Sequence, residues 1–365
     1  MRLLMTVDGV GGVWQYATDL ARALGQSGVE TILVLLGPPP PLDQRAAARA
    51  IPGVTLVETD LTLDWLAETP AQVALAGRKI AELARHMRAD LVQLNQPALA
   101  ADATFSVPVV AVAHSCLATW WEGVEGTPLP EDFAWRAALH GQGLRSASRA
   151  VAPSAAFARA TQAAYQLPDL PAAVHNGRSL RVPAAAAIHD FALAAGRLWD
   201  RGKDIATLDR AAARLGIPVK AAGLLQGPHG ECTTLQHVHA MGMVSEDALA
   251  DCLAARPVFV STAVYEPFGL AVLEAAAAGC PLVLSDIPTF RELWDGAASF
   301  VVPGDDAGFA AAVEQLIGDT PLRLRRGDMA RAAASRFTTR RMVDEMLAIY
   351  RSAIDAAPSP QAVAA

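Results

Sequence analysis

The chain has 365 residues against a typical domain of about 150, so two packed domains are expected rather than one oversized core. Hydrophobic residues at 52% and charged residues at 18% exclude disorder over the bulk of the chain. Thirty Lys and Arg against 37 Asp and Glu leave a net charge of -7, which argues against nucleic acid as a partner. A small polyanion remains open, because one or two cations and some backbone N–H groups suffice to hold it.

Along the chain, short apolar runs alternate with longer stretches of helical period, the signature of β-α-β units around parallel sheets. Residues 3–7 read as a buried strand. Val13, Tyr16, Leu20 and Leu24 then share one helical face, until Gly25 and Gly28 end the helix. Strands are predicted at 29–36, 54–57, 91–94, 107–113, 150–152 and 172–174, with prolines breaking the chain over 38–41. The irregular stretch 167–186, rich in Pro and Ala and carrying Asn176-Gly177, marks the domain boundary. A second series of strands is predicted at 191–195, 219–222, 257–261, 281–284 and 299–302. Residues 305–355 read as mostly helical, the last helix placing Met342, Met346 and Ile349 on one face, and 356–365 as a frayed end.

Cys116, Cys232, Cys252 and Cys280 stand singly, so neither a disulfide scaffold nor structural zinc is expected. The opening apolar run is too short for a signal-peptide core or a membrane span, which predicts a cytoplasmic, reducing location.

In doubly wound sheets ligands bind beyond the carboxyl ends of strands, so the polar and glycine residues there carry the chemistry. Gly9, Gly11 and Gly12 follow the first strand and open a helix, either as a tight turn or as an anion or substrate edge. A dinucleotide fingerprint starting at Gly9 fails, because Trp14 stands where its third glycine is needed. His114 closes the strand at 107–113 as a structural or a functional histidine; the nearby Trp120 and Trp121 suit either a sugar ring or simple packing. Gly196-Arg197 follows the strand at 191–195, with Lys203 expected at a helix start. A guanidinium and an ammonium so placed can hold a diphosphate without a metal. Finally, Glu266-Pro267-Phe268-Gly269-Leu270 leads into a helix bearing Glu274 in apolar surroundings. The N–H groups of Phe268, Gly269 and Leu270 can face an anion there, and both carboxylates need partners, either sugar hydroxyls or internal cations.

Glu266 and Glu274 form an E-x7-E pattern enclosing Pro-Phe-Gly, and with Gly196-Arg197 and Lys203 upstream the chain resembles the family 4 glycosyltransferases of the GT-B fold. The stretches around His114, 152–154, His175-Asn176-Gly177 and 285–288 fall in the family's order, so the resemblance spans nearly the whole sequence. It implies an α/β fold of two Rossmann-like doubly wound domains facing a central cleft. Residues 1–175 would form the acceptor domain, with a helix at about 339–355 crossing back onto it, and 187–338 the nucleotide-sugar domain. It further implies a metal-independent, retaining transfer from a nucleoside-diphosphate sugar to a sugar, glycan or lipid-linked acceptor, with no cofactor. Peripheral contact with a membrane surface would follow if the acceptor is a lipid. By resemblance Arg197 and Lys203 neutralise the diphosphate, Glu274 accepts from the ribose and Glu266 binds the transferred sugar. His114 sits at the reacting sugar, while Gly11 and Gly12 line the acceptor or phosphate edge. The sequence departs from the family at Asp204, where a glycine is usual, and in the loop containing Trp199 and Asp200. Two other readings share the architecture: a sugar-nucleotide epimerase, and a non-catalytic sugar-nucleotide-binding protein.

Overall fold

The computed structural model describes residues 1–9, 11–178, 187–228 and 230–356. The expected frayed end therefore lies, beyond Ala356, outside the described residues, as do Val10 and residues 179–186 of the Pro/Ala-rich boundary stretch. By contact density the chain divides into two units. The first comprises Met1–Glu122, Thr127–Gly177 and Thr339–Ala365, the second Gly123–Gly126 and Arg178–Thr338.

The first unit has seven parallel strands, β1 (Arg2–Asp8), β2 (Glu30–Leu36), β3 (Val54–Glu58), β4 (Leu91–Leu94), β5 (Val109–Val112), β6 (Arg149–Ala152) and β7 (Ala172–Ala173), of which the central ones are apolar runs buried on both faces and the edge strands β3 and β7 are not. Their order is β3-β2-β1-β4-β5-β6-β7, and Leu4 stands opposite both Ile32 and Val92. Alternation along β1 divides the core. Leu3, Met5 and Val7 join one apolar layer with Leu20 and Leu24 of the helix Gly12–Gln26, while Leu4 joins the layer on the other face with Val73 and Ile80 of the helix Pro70–His86. The last helix, Thr339–Asp355, adds Met342, Val343, Met346 and Tyr350 to the first of these layers.

The second unit repeats the plan with β8 (Ala192–Ala195), β9 (Val219–Ala222), β10 (His239–Gly242), β11 (Val258–Ser261), β12 (Leu282–Ser285) and β13 (Ala298–Val301), ordered β10-β9-β8-β11-β12-β13 and parallel throughout. Both sheets thus have the Rossmann-like doubly wound order, in which the winding reverses between the first and fourth strands.

Two expectations need correction. Gly25 does not end the first helix, which runs through it to Gln26; a Cβ there would meet the Pro52 carbonyl oxygen at 3.0 Å, so the glycine serves close approach of a loop. Strand β10 is absent from the predicted series. Its sequence, His-Ala-Met-Gly, is short, lies at the sheet edge with no fully buried residue, and shifts register between Ala240 and Gly242. Among the described residues, no helix is long and apolar enough to cross a membrane.

His140 gives the first unit an acid-sensitive point. Its ring stacks on Tyr165 at 5.2 Å, its Nε2 is buried with no hydrogen-bond partner, and burial holds its pKa down to about 4. An unfolded histidine titrates near 6.5, so between pH 6.5 and 4 the unfolded chain binds the extra proton and this site loses stability as pH falls. His140→Phe keeps a stacking ring without the titration. Its Tm relative to wild type is expected to rise steadily over that window, by the equivalent of up to about 3 kcal/mol, in thermal melts run at several pH values.

Candidate active site

The central strands of the second sheet, β8 and β11, flank the point where its winding reverses, and their carboxyl ends carry most of the predicted site. Gly196 leaves β8 with φ +150° and donates its N–H to the Ala222 carbonyl at 3.0 Å. A Cβ on Gly223, just after β9, would fall 1.8 Å from the Gly196 carbonyl oxygen, so the two loops touch because Gly223 lacks a side chain. Arg197 is 43% exposed, pairs with buried Asp200 at 3.2 Å and lies 5.6 Å from the Trp199 ring centroid. Asp200 also accepts from the Gly202 N–H at 2.9 Å, capping a 3-10 turn, Arg201–Lys203. The family-atypical Trp199 and Asp200 are therefore the residues that brace the loop.

Lys203 is in that 3-10 turn and not at the helix start predicted for it; the helix, Ile205–Ala212, begins beyond Asp204. Asp204 takes φ +44°, a conformation that favours glycine and that Asp tolerates better than most residues. The Thr262 hydroxyl, from the segment after β11, donates to the Asp204 carbonyl at 2.9 Å, so the backbone keeps its left-handed turn without the family's glycine.

Lys203 Nζ bonds Glu266 Oε2, with both side chains less than one-fifth exposed, and this ion pair ties the loop after β8 to the loop after β11. The N–H groups of Val264 and Tyr265 reinforce the tie by donating to the Gly202 carbonyl at 2.9 and 3.1 Å. Glu266 Oε1 also lies 3.5 Å from the Phe268 nitrogen. Gly269, at φ +90°, opens the helix Leu270–Ala278, and no side chain caps that helix end. Glu274 sits one turn inside. Its carboxylate pairs with Arg178 Nε at 2.6 Å, and Arg178 reaches Glu246 at 3.4 Å from its Nη2.

Both glutamates thus rest on cations of their own chain. Lys203 and Glu266 are each singled out by the sequence; Arg178 is not.

The remaining predicted residues belong to the first unit. Gly11, at φ +81°, is the N-cap of the helix Gly12–Gln26, whose end carries no side-chain cap. Trp14, at the failed fingerprint position, is buried in the core. Trp120 and Trp121 lie half-buried on the helix Leu117–Val124, their rings 6.1 Å apart, and Trp121 Nε1 donates to the Thr127 hydroxyl at 3.2 Å. His114, just past β5, has Nε2 at 2.9 Å from Asn95 Oδ1 and its ring edge-on to Tyr16 at 4.5 Å. Withdrawal from water holds its pKa down to about 3, so the imidazole is neutral at physiological pH.

Residues 10–182 match the family model described as Glycosyltransferase Family 4, and residues 190–319 the one described as Glycosyl transferases group 1. The phosphatidyl-myo-inositol mannosyltransferase of Mycobacterium leprae is 30% identical over 121 residues, 32% of each chain. The chain spans about a third or less of the length of the curated relatives it matches. Its fold matches that of sucrose-phosphate synthase from Thermosynechococcus elongatus at a TM-score of 0.80, with 18% identity over 98% of this chain and 100% of the other. Anabaena HepE in complex with UDP-glucose matches at 0.74, with 19% identity over 96% and 100%. By both halves of its sequence and by its two Rossmann-like units, the chain belongs to the GT-B glycosyltransferases.

Proposed function

We propose that the protein is a retaining, metal-independent glycosyltransferase that moves a sugar from a nucleoside-diphosphate sugar to a hydroxyl of a sugar, glycan or lipid-linked acceptor, in cytoplasmic glycan or glycoconjugate biosynthesis. The observation that carries this reading is the Lys203–Glu266 pair beside the exposed Arg197, at the winding reversal of the second sheet. The mannosyltransferase relative and the HepE complex with UDP-glucose favour the same class of donor.

On this reading residues 187–338 hold the donor, and 1–175 with the last helix hold the acceptor. The bond from the anomeric carbon to the diphosphate oxygen breaks, a bond to the acceptor oxygen forms on the same face, and the acceptor proton passes to the departing phosphate. Negative charge grows on that phosphate, so fixed cations contribute most to lowering the barrier. Arg197 and Lys203 are those cations, which is why no metal is called for. The N–H groups of Phe268, Gly269 and Leu270 add dipoles of the same sign. Glu266 takes hydroxyls of the transferred sugar and Glu274 those of the ribose. His114 meets a hydroxyl of the reacting sugars, while Gly11, Gly12, Trp120 and Trp121 line the acceptor side.

In the free protein the two carboxylates are neutralised by Lys203 and Arg178, so donor binding exchanges ion pairs instead of burying bare charge. A thermal-shift series over nucleoside-diphosphate sugars, with and without chelator, tests the reading. At 100 times its Kd the true donor stabilises by about 2.7 kcal/mol, and chelator leaves that shift unchanged. No shift with any such sugar removes the reading, loss of the shift in chelator removes metal independence, and donor turnover without acceptor assigns the epimerase instead.

A further inference from the structure

Resting on the reading that His114 meets a hydroxyl of the reacting sugars, we infer that Asn95 is a positioning residue: it locks His114 as the Nε2–H tautomer and leaves Nδ1 as the acceptor for that hydroxyl. The assignment follows from which atoms can donate. The Thr6 backbone carbonyl only accepts, so the atom of Asn95 at 2.7 Å from it is the amide nitrogen Nδ2. Asn95 Oδ1 therefore faces Gln93 Nε2 at 3.0 Å and His114 Nε2 at 2.9 Å. A carbonyl oxygen cannot donate, so the hydrogen between Asn95 and His114 belongs to the imidazole. A neutral imidazole has one N–H, so Nδ1 carries a lone pair, and no described residue hydrogen-bonds it.

The orientation is held from behind. Gln93 Nε2 is committed to Asn95, which turns Gln93 Oε1 toward the hydroxyl of Tyr350, and that hydroxyl donates to it. Gln93 Nε2 also lies 3.4 Å from the Tyr16 hydroxyl, while the Tyr16 ring packs edge-on against His114. The Asn95 backbone N–H donates to Thr6 Oγ1 at 3.0 Å. Thr6, Gln93, Asn95 and Tyr350 are all buried, so turning either amide over would leave inward polar atoms without partners. Burial also keeps the Tyr16 and Tyr350 phenols neutral, with pKa values raised above their usual range. The last helix thus sets a proton position on His114, a residue far from it in sequence, through Tyr350, Gln93 and Asn95.

Nitrogen-15 NMR of the full chain, with histidine labelling and His114→Phe to assign the signal, tests this without any substrate. Wild type is expected to show a pyrrole-type shift at Nε2 and a pyridine-type shift at Nδ1 of His114. An Nδ1–H pattern, or an averaged one, overturns the proposal whatever the activity, and this measurement needs no variant of Asn95 to fold. In Asn95→Ala the two tautomers are expected to average, with kcat down about 10- to 100-fold and donor KM within about twofold; an unchanged kcat overturns the positioning role. Full transfer by His114→Phe would instead remove the functional reading on which the proposal rests, while leaving the tautomer result legible.

Discussion

Lys203→Met is expected to lower kcat/KM for sugar transfer by about 10²- to 10³-fold, the usual loss when one fixed donor to a developing oxyanion is removed. It is also expected to destabilise the protein by about 1–3 kcal/mol, because Glu266, itself 17% exposed, keeps its charge and loses its partner. Glu266→Gln should destabilise for the mirror reason. The double variant separates the two effects: removing both charges restores most of the melting temperature, whereas transfer stays lost. Activity returning with stability would mean that the pair only braces the two loops and that the diphosphate is bound elsewhere. Turnover and thermal melts of the four proteins decide this in one double-mutant cycle.

A single methyl group should be nearly as damaging at Gly223. Its Cβ would fall 1.8 Å from the Gly196 carbonyl oxygen and 3.0 Å from the Gly196 carbonyl carbon, and the backbone there has φ +141°. Overpacking and strained backbone together predict about 3 kcal/mol of destabilisation, read as a fall in Tm of roughly 6–12 °C for a unit of this size. The loop that must yield is the one bearing Arg197, so donor affinity should fall as well. Gly216→Ala is the control, with no heavy atom within 4 Å of the new carbon; its Tm should stay within about 1 °C.

What could be read ahead of the structure followed burial. Strands buried on both faces, such as Val109–Val112 and Leu282–Ser285, announce themselves as largely apolar runs, and the two series of them define the α/β plan. The edge strand His239–Gly242 gives no such signal, since half-exposed residues are under little pressure to be apolar. The candidate site was legible in part, because Gly196, Arg197, Glu266 and Glu274 follow strands or open a helix, and those positions are local. Their partners are not local. That Lys203 meets Glu266, and Arg178 meets Glu274, depends on which strand lies beside which, and sequence spacing carries no trace of it. The same holds for Asp204, whose left-handed turn is supported by a threonine hydroxyl 58 residues away.

The return of the last helix to the first unit has a consequence for synthesis. When the ribosome has delivered the seven strands of the first sheet, one face of that sheet still lacks Met342, Met346 and Tyr350. The nascent chain must carry an unfinished apolar surface, and an unmatched Gln93, until every residue of the second unit has emerged. Premature termination before residue 350 therefore leaves both the greasy layer and the tautomer lock incomplete, whatever the condition of the second unit.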